Sequence, residues 1–257
     1  MQGKVAVVTG AAGGIGEAIV RKLGDKGVKV VGTGRNAGKL QALKDKLGAG
    51  MEFAFVAADA TAADAPRQIV DFAISTFGRL DILVNNAGSF NFGPVHETTD
   101  DMLDEVLAIS LRAPFRLCRE ALVHMGPGAS ILFIGSTWGI YGTPGGGAYS
   151  AVKAAQIGLA QTMAAEYGPR GIRSNYIAPT VVRTEMTDAY WELDFFKRTN
   201  FELTPADRQC TTADVANTVA FLASDEAGMI NGQTIAVDGG ISTTRYVAPE
   251  AIFAERK

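Results

Sequence analysis

The chain has 257 residues, 47% of them hydrophobic and 20% charged, which excludes an extended disordered protein and allows a sizeable core. The formal net charge of -3 excludes a general binder of nucleic acid or of anionic membranes. No basic and then apolar leader opens the sequence, and no apolar run approaches the ~18 residues that a membrane span needs. We therefore expect a cytoplasmic protein.

Short β-branched runs alternate along the chain with stretches of helical period. Strands are predicted at 4–9, 28–33, 51–58, 80–85, 129–135, 172–178 and 233–237, and helices at 14–26, 37–47, 62–77, 99–125, 148–167 and 212–223. Strands that are apolar on both faces and alternate with helices indicate a parallel sheet covered on both sides. We predict the α/β class: a single doubly wound Rossmann domain over 1–257, with a central, mostly parallel, seven-stranded sheet.

One segment, 186–208, breaks this alternation because it mixes several aromatic residues with charges. It follows the sixth strand, at the carboxyl edge of the sheet where ligands bind in such folds. We predict that it is a lid over the substrate; an ordinary pair of surface helices is the alternative.

A glycine-rich turn joins the first strand to the first helix, in the sequence Thr-Gly-Ala-Ala-Gly-Gly-Ile-Gly from Thr9 to Gly16. Gly10 permits a sharp turn, Gly14 permits close approach of a pyrophosphate, and Gly16 permits tight packing of helix on sheet. The helix N-terminus adds unpaired N–H groups and a positive potential. We predict a dinucleotide site here, with Ile15 among its residues.

The end of the second strand bears on the choice between NAD and NADP. It carries no acid that would accept hydrogen bonds from a ribose 2′-OH, and it carries Arg35, which can pair with a 2′-phosphate. NADP(H) is therefore favoured, with NAD(H) as the alternative and a solvated loop charge as the simpler explanation of Arg35.

Tyr149 and Lys153 lie four residues apart in a helical stretch and share one face. A nearby ammonium favours the phenolate, and oxidised nicotinamide adds more positive charge, so we expect Lys153 and the bound cofactor together to lower the pKa of Tyr149. Ser136, at the end of the fifth strand, can hydrogen-bond a substrate oxygen beside that phenol. The spacing Ser136, Tyr149, Lys153 is far more specific than the Tyr–Lys pair alone.

Together these motifs resemble the short-chain dehydrogenase/reductase family, and the resemblance covers essentially the whole chain. The family's glycine turn has the form seen from Thr9 to Gly16, and its Asn-Asn-Ala-Gly signature stands at 85–88. The resemblance implies that Tyr149 is the general acid/base, that Ser136 positions the carbonyl, and that Lys153 binds the nicotinamide ribose.

The same resemblance implies further cofactor contacts. Asp59 would accept a hydrogen bond from the adenine amino group, with the Ala60 backbone beside it. The remaining positions carried over are Asn86, Ala87 and Gly88 near the nucleotide, and Val182 and Thr184 near the nicotinamide carboxamide.

The chain departs from the family at two places. Ser110 stands where relatives carry an asparagine that supports a helix kink and a proton-relaying water, so we count Ser110 as a catalytic candidate and expect a weakened relay. Thr180 follows Pro179 where relatives have glycine, and a β-branched residue disfavours positive φ, so we expect the backbone or the pocket wall to differ there.

The substrate is poorly encoded. The aromatic side chains of Phe90, Phe92, Trp138, Tyr141 and Trp191 are candidate pocket walls, and they suit a small hydrophobic or cyclic ketone or alcohol. A core or interface role for most of them is the alternative.

Two other functions stay open. One is reduction of 3-oxoacyl groups on a carrier protein or CoA. The other is a non-catalytic dinucleotide sensor, which the altered Ser110 motivates.

We expect neither a nucleic-acid nor a membrane partner, and no metal, since two histidines and two cysteines form no ligand pattern. By analogy with the family the protein is expected to be a homotetramer or homodimer, with the tail 241–257 reaching toward a neighbouring subunit.

Overall fold

The fold is that of a computed structural model, which describes residues 1–246. Seven strands form one sheet: β1 Val5–Thr9, β2 Lys29–Gly34, β3 Phe53–Ala57, β4 Ile82–Asn85, β5 Ser130–Ile134, β6 Arg173–Pro179 and β7 Thr234–Val237. Their spatial order is β3-β2-β1-β4-β5-β6-β7, and every neighbouring pair is parallel. The predicted seven-stranded sheet is confirmed, and it is parallel throughout the described part of the chain.

Helices cover both faces of this sheet. They are α1 Gly14–Asp25, α2 Ala37–Leu47, α3 Ala65–Phe77, α4 Asp100–Leu107, α5 Ala113–Ala121, α6 Gly147–Tyr167, α7 Asp194–Asn200 and α8 Thr212–Ala223. One buried cluster joins α1, α2 and α8 to the sheet, and a second joins α3, α5 and α6 to its other face. The inner strands are buried on both faces, which is why they read as continuous apolar runs.

The strand order reverses between β1 and β4, which are neighbours in space but distant in sequence. In open sheets of this kind the crevice at such a reversal, outside the carboxyl ends of the strands, is where ligands bind. The glycine turn follows β1 at this point, and the Asn-Asn-Ala-Gly turn follows β4.

The long helix predicted over 99–125 is interrupted, and this is a correction. Between α4 and α5 the chain makes a π-helical turn, Ala108–Arg112, and α5 ends at Ala121. The cause is Pro114, which has no N–H to donate to the carbonyl of Ser110 and whose ring crowds that carbonyl. The helix widens here and leaves the Ser110 carbonyl free.

The segment after β6 folds into short helices, a single 3-10 turn at Asp188–Tyr190 and then α7. Of the predicted tail, residues 247–257 lie outside the described part of the chain. Among the described residues, no helix has the length and apolar character needed to cross a membrane.

Candidate active site

The glycine turn has the geometry that phosphate binding requires. Gly10 has a φ of +63°, where a side chain would be strained, and a Cβ on Gly16 would overlap the Gly10 carbonyl. Helix α1 begins at Gly14, and its N-cap, Gly13, provides no side-chain cap. The first-turn N–H groups of α1 therefore keep the donors and positive potential that an anion needs.

The turn after β4 is tied to the glycine turn by hydrogen bonds. The side-chain amide of Asn86 donates to the carbonyl oxygens of Thr9 and Gly10, at 2.9 and 3.2 Å. The Thr9 hydroxyl accepts from the backbone N–H groups of Asn86 and Ala87, both at 2.9 Å. Asn86 thus holds the two turns together through its side chain, and Thr9 was missed as a site residue.

The adenine end of the crevice carries Arg35 and Asp59. Arg35 is exposed at the end of β2. Hydrogen bonds from the backbone and then the hydroxyl of Thr61 lower the pKa of Asp59, and the positive charge of Arg35 lowers it further. Arg35 and Asp59 therefore lie near each other, with Ala60 next in the chain.

After β6, Thr184 lies directly over the glycine turn. Its methyl carbon is 2.8 Å from where a Gly14 Cβ would stand. Val182 is buried and belongs to the core cluster against which Ile15 also packs. Thr180 extends the β6–β7 ladder by donating its N–H to Val237, and no described non-glycine residue has a positive φ, so threonine causes no strain there.

Ser136, Tyr149 and Lys153 come together at the carboxyl end of β5. The Lys153 amine lies 5.5 Å from the centroid of the Tyr149 ring and donates a 2.9 Å hydrogen bond to the carbonyl of Ile134. Ser136 accepts the backbone N–H of Trp138 at 3.2 Å, so its hydroxyl proton is left to donate elsewhere. Tyr149 is partly buried, and Lys153 is 4% exposed.

The pKa values differ from our expectation. The apolar surroundings of the Tyr149 hydroxyl raise its pKa to about 12, although Ser136 lowers it. Burial lowers the pKa of Lys153 to about 8. The predicted lowering of the Tyr149 pKa by Lys153 is therefore wrong for the protein by itself, because the ammonium faces the ring and bonds to Ile134 instead of the phenol oxygen.

Ser110 is fully buried in the π turn. Its free carbonyl accepts a short hydrogen bond from the side-chain amide of Gln156 on α6. The Ser110 hydroxyl and the Gln156 side-chain oxygen are both buried, and neither has a hydrogen-bond partner among residues 1–246. A Cβ on Gly88 would stand 3.6 Å from the Ser110 hydroxyl oxygen and 3.7 Å from the Lys153 amine, so the turn after β4 brings the two side chains to one place.

Aromatic rings surround the catalytic phenol. Phe90 packs edge-on against Tyr149 with ring centroids 5.1 Å apart, and Trp138 does so at 6.0 Å. Tyr190, from the predicted lid, contacts Phe90 at 6.2 Å. Phe92 stacks at 6.1 Å on Phe195 of α7. The lid therefore reaches the phenol through a chain of aromatic contacts.

Two other residues predicted to line the pocket make their contacts away from the Tyr149 ring. Trp191 is 6% exposed and packs inside the lid against Phe196 and Phe201. Tyr141 donates to the Thr137 hydroxyl at 3.3 Å. Tyr190 and Gln156 were not singled out as site residues; a glutamine with apolar neighbours on both sides, three positions after Lys153, is the signal that could have revealed the second.

A separate cavity of about 740 Å³ lies between the end of the lid and the ends of β6 and β7. It is lined at one end by Thr180 and Val181 and elsewhere by residues such as Phe201, Arg208 and Asp238, but by none of Ser136, Tyr149 and Lys153. Two of its charged side chains pair with each other, since Arg208 forms two hydrogen bonds with Asp214.

A doubly wound parallel sheet with an open glycine turn at its reversal point, next to a tyrosine and a buried lysine, defines the class of nicotinamide-dependent oxidoreductases. Comparison with known proteins agrees. A family model described as Enoyl-(Acyl carrier protein) reductase matches residues 10–242.

Individual relatives match over nearly the whole chain. The 3-oxoacyl-(acyl-carrier-protein) reductase FabG of Escherichia coli is 36% identical over 242 residues, 93% of this chain and 98% of that protein. D-threitol dehydrogenase of Mycolicibacterium smegmatis is 38% identical over 250 residues, 93% of each. The crystal structure of a short chain dehydrogenase from Burkholderia cenocepacia in complex with NADP has a TM-score of 0.88 at 35% identity, covering 94% of this chain and 99% of that one.

The chain therefore belongs to the short-chain dehydrogenase/reductase family, and it is an oxidoreductase.

Proposed function

We propose that this enzyme transfers a hydride between NADP(H) and the carbonyl or secondary alcohol of a small, hydrophobic or cyclic substrate, with Tyr149 as the general acid/base. The observation that carries the proposal is the meeting of Ser136, Tyr149 and Lys153 beside the glycine turn. The turn fits a dinucleotide, because Gly10 and Gly16 allow its tight backbone path and α1 begins without a side-chain cap.

Each of the three side chains has a separate role. The nicotinamide, when bound, supplies or accepts the hydride. Tyr149 gives its phenolic proton to the carbonyl oxygen during reduction and takes it back during oxidation. Ser136 donates its hydroxyl proton to the same oxygen and holds it beside the phenol. Lys153 supplies positive charge and contacts the ribose.

The pKa of Tyr149 suits the reduction direction. A value of about 12 keeps the phenol protonated at neutral pH, so that it is ready to donate. Lys153, with a pKa of about 8, is mostly charged there and can release its proton at small cost. Ser110 is proposed to belong to a weakened proton path, since Gln156 already occupies its carbonyl.

Several features support NADP(H). Arg35 is exposed at the end of β2 and free of any ion pair shown among the described residues. Lys39, on the first turn of α2, adds a second positive charge, paired with Glu185 at 2.8 Å. A phosphate on the ribose would meet both cations. The relative from Burkholderia cenocepacia was crystallised with NADP.

The substrate class follows from the rings around the phenol. Phe90 packs against the rings of Tyr149, Trp138 and Tyr190. Phe90, Trp138 and Tyr190 therefore present apolar faces near the phenol. Such walls favour a cyclic or hydrophobic ketone over a polyol. We propose that residues 186–208 form a lid over this substrate. We also propose that residues 1–257 form one domain and that the protein is a homotetramer or homodimer. Exposed Leu103 and Phe115 on α4 and α5 support an interface.

A second candidate function is reduction of 3-oxoacyl thioesters. The specific observation in its favour is the 36% identity with a reductase of that name across 98% of its length. The names of the two curated relatives cover an acyl-carrier substrate and a polyol, so family membership does not decide between substrates.

The test is oxidation of NADPH and NADH, followed by absorbance, with cyclohexanone, 2-decalone and acetoacetyl-CoA. Turnover of the cyclic ketones with NADPH is expected, and Tyr149→Phe should lose at least about 100-fold in kcat while still binding NADPH. Tyr167→Phe, at the far end of α6, is the matched control. Preference for acetoacetyl-CoA would support the second candidate, and tight NADPH binding without turnover of any compound would support a sensor instead.

A further inference from the structure

A second buried tyrosine holds the catalytic serine. Tyr176 lies on β6 and is 0% exposed. Its hydroxyl accepts the backbone N–H of Ser136 at 2.8 Å and donates to the backbone carbonyl of the same residue at 3.1 Å. One hydroxyl thus satisfies both backbone groups of Ser136.

The backbone explains why this is feasible. Ser136 is extended, with φ -162° and ψ 153°. In an extended residue the N–H and the C=O point to the same side, where a neighbouring parallel strand would bond them. The β5–β6 ladder ends just before, with Gly135 donating to Ile177 at 2.7 Å. Successive extended residues direct their backbone groups to opposite edges of a strand, so the backbone of β6 does not bond Ser136 next, and the Tyr176 side chain reaches these groups instead.

Two glycines make room for the ring. A Cβ on Gly135 would overlap the Tyr176 ring, and a Cβ on Gly139 would stand 2.5 Å from its hydroxyl oxygen. Both flank Ser136 in sequence. Burial raises the pKa of Tyr176 well above its ordinary value, so the hydroxyl keeps the proton that it donates.

We propose that Tyr176 is a positioning residue for the reaction: it clamps the backbone of Ser136 and so fixes where the serine hydroxyl meets the substrate oxygen. This inference rests on the proposed function, since it assigns Ser136 its role there. Without the clamp the Ser136 N–H would lose its hydrogen-bond partner in a partly buried position, while the carbonyl would keep only the N–H of Gly139 at 3.0 Å, and Ser136 would leave its extended geometry to satisfy the N–H.

The first test is independent of activity. Tyr176→Phe keeps the ring and removes the hydroxyl, so it should fold. Hydrogen exchange of the Ser136 amide is expected to accelerate at least about 10-fold relative to wild type, whereas the Ile134 amide should not change. Equal exchange at Ser136 in both proteins would overturn the clamp, whatever the enzyme turns over.

The second test uses kinetics with NADPH and cyclohexanone, or acetoacetyl-CoA if only that is reduced. Tyr176→Phe should lower kcat about 10-fold, equal to about 1.4 kcal/mol, with KM for NADPH unchanged. Added to Ser136→Ala, it should lower kcat less than about 2-fold further, because the clamp acts through the serine. If the kcat loss of the double variant equals the product of the two single losses, Tyr176 has a merely structural role.

Two further variants complete the design. Gly135→Ala, whose added Cβ would have Tyr176 atoms as its three nearest neighbours, should reproduce the loss in kcat by displacing the ring, and a wild-type kcat there would count against the clamp. Tyr167→Phe, which removes a hydroxyl at the other end of α6, should leave exchange and kcat unchanged. If wild type turns over no ketone, the proposed function fails, while the exchange test still decides the clamp.

Discussion

Burying the charged side chain of Lys153 destabilises the folded protein, and the unfolding free energy of the Lys153→Met variant should reveal by how much. Its pKa falls from an ordinary 10.5 to about 8, because burial penalises the ammonium. The difference corresponds to about 3 kcal/mol of unfavourable free energy whenever the lysine is charged in both folded and unfolded states. Lys153 is 4% exposed, so solvent screens little of it.

The sign of the effect follows from proton binding. Below pH 8 both states hold the proton and the full cost is present. Between pH 8 and pH 10.5 the unfolded chain stays protonated while the folded protein loses its proton, so the wild type becomes more stable as pH rises. Lys153→Met cannot titrate. The unfolding free energy of wild type should therefore rise by about 3 kcal/mol relative to Lys153→Met across this window.

The difference in unfolding free energy between wild type and Lys153→Met also includes the hydrogen bond from Lys153 to Ile134. Such a bond from a charged donor stabilises the wild type by about 1.5–3 kcal/mol. Below pH 8 we expect Lys153→Met to be more stable than wild type by about 1 kcal/mol, although it has lost catalysis. Urea unfolding at matched protein concentration, repeated from below pH 8 to above pH 10.5, measures the difference.

Lys44→Met, which replaces an exposed lysine on α2, is the control and should show a flat difference. A difference between wild type and Lys153→Met that stays constant with pH would refute the reasoning, since it would mean that the amine is solvated in the folded protein.

Three other variants test separate parts of the site. Arg35→Ala should raise KM for NADPH about 10-fold and leave KM for NADH unchanged, because only the former loses a charge-assisted hydrogen bond; equal effects on both would contradict the 2′-phosphate role. Phe90→Ala removes the ring 5.1 Å from Tyr149 and should raise KM for cyclohexanone about 10-fold; an unchanged KM would place the substrate elsewhere. Ser110→Asn should raise kcat a few-fold and shift its pH profile if the proton path is weakened, and identical profiles would remove that idea.

The outline of the site could be predicted from sequence because its parts obey local rules. Gly10, Gly14 and Gly16 must be glycine for reasons of backbone space, and a strand before them with a helix after them sets their place in the fold. Tyr149 and Lys153 share a helix face by spacing alone. Ser136 follows a strand whose carboxyl end must lie at the same edge of the sheet.

Contacts between segments that are distant in sequence were harder to predict. Pro114 in a predicted helix was a visible signal for the interruption at Ser110, but its effect on the Ser110 carbonyl depends on Gln156, forty-six positions away. The pKa of Tyr149 was predicted in the wrong direction, because spacing places Lys153 on the same face without specifying whether its amine meets the phenol oxygen or the ring.

By itself the amino-acid sequence determined the order of strands and helices, the glycine turn and the three candidate catalytic side chains, since these depend on period, backbone space and spacing within a few residues. Only the tertiary structure decided which atoms each side chain bonds: that Tyr176 bridges Ser136, that Gln156 takes the Ser110 carbonyl, and that Phe90 packs against both Tyr149 and Tyr190. The physical reason is that hydrogen bonds and ring contacts depend on distances of a few tenths of an ångström between segments far apart in sequence, and only packing of the whole chain sets those distances.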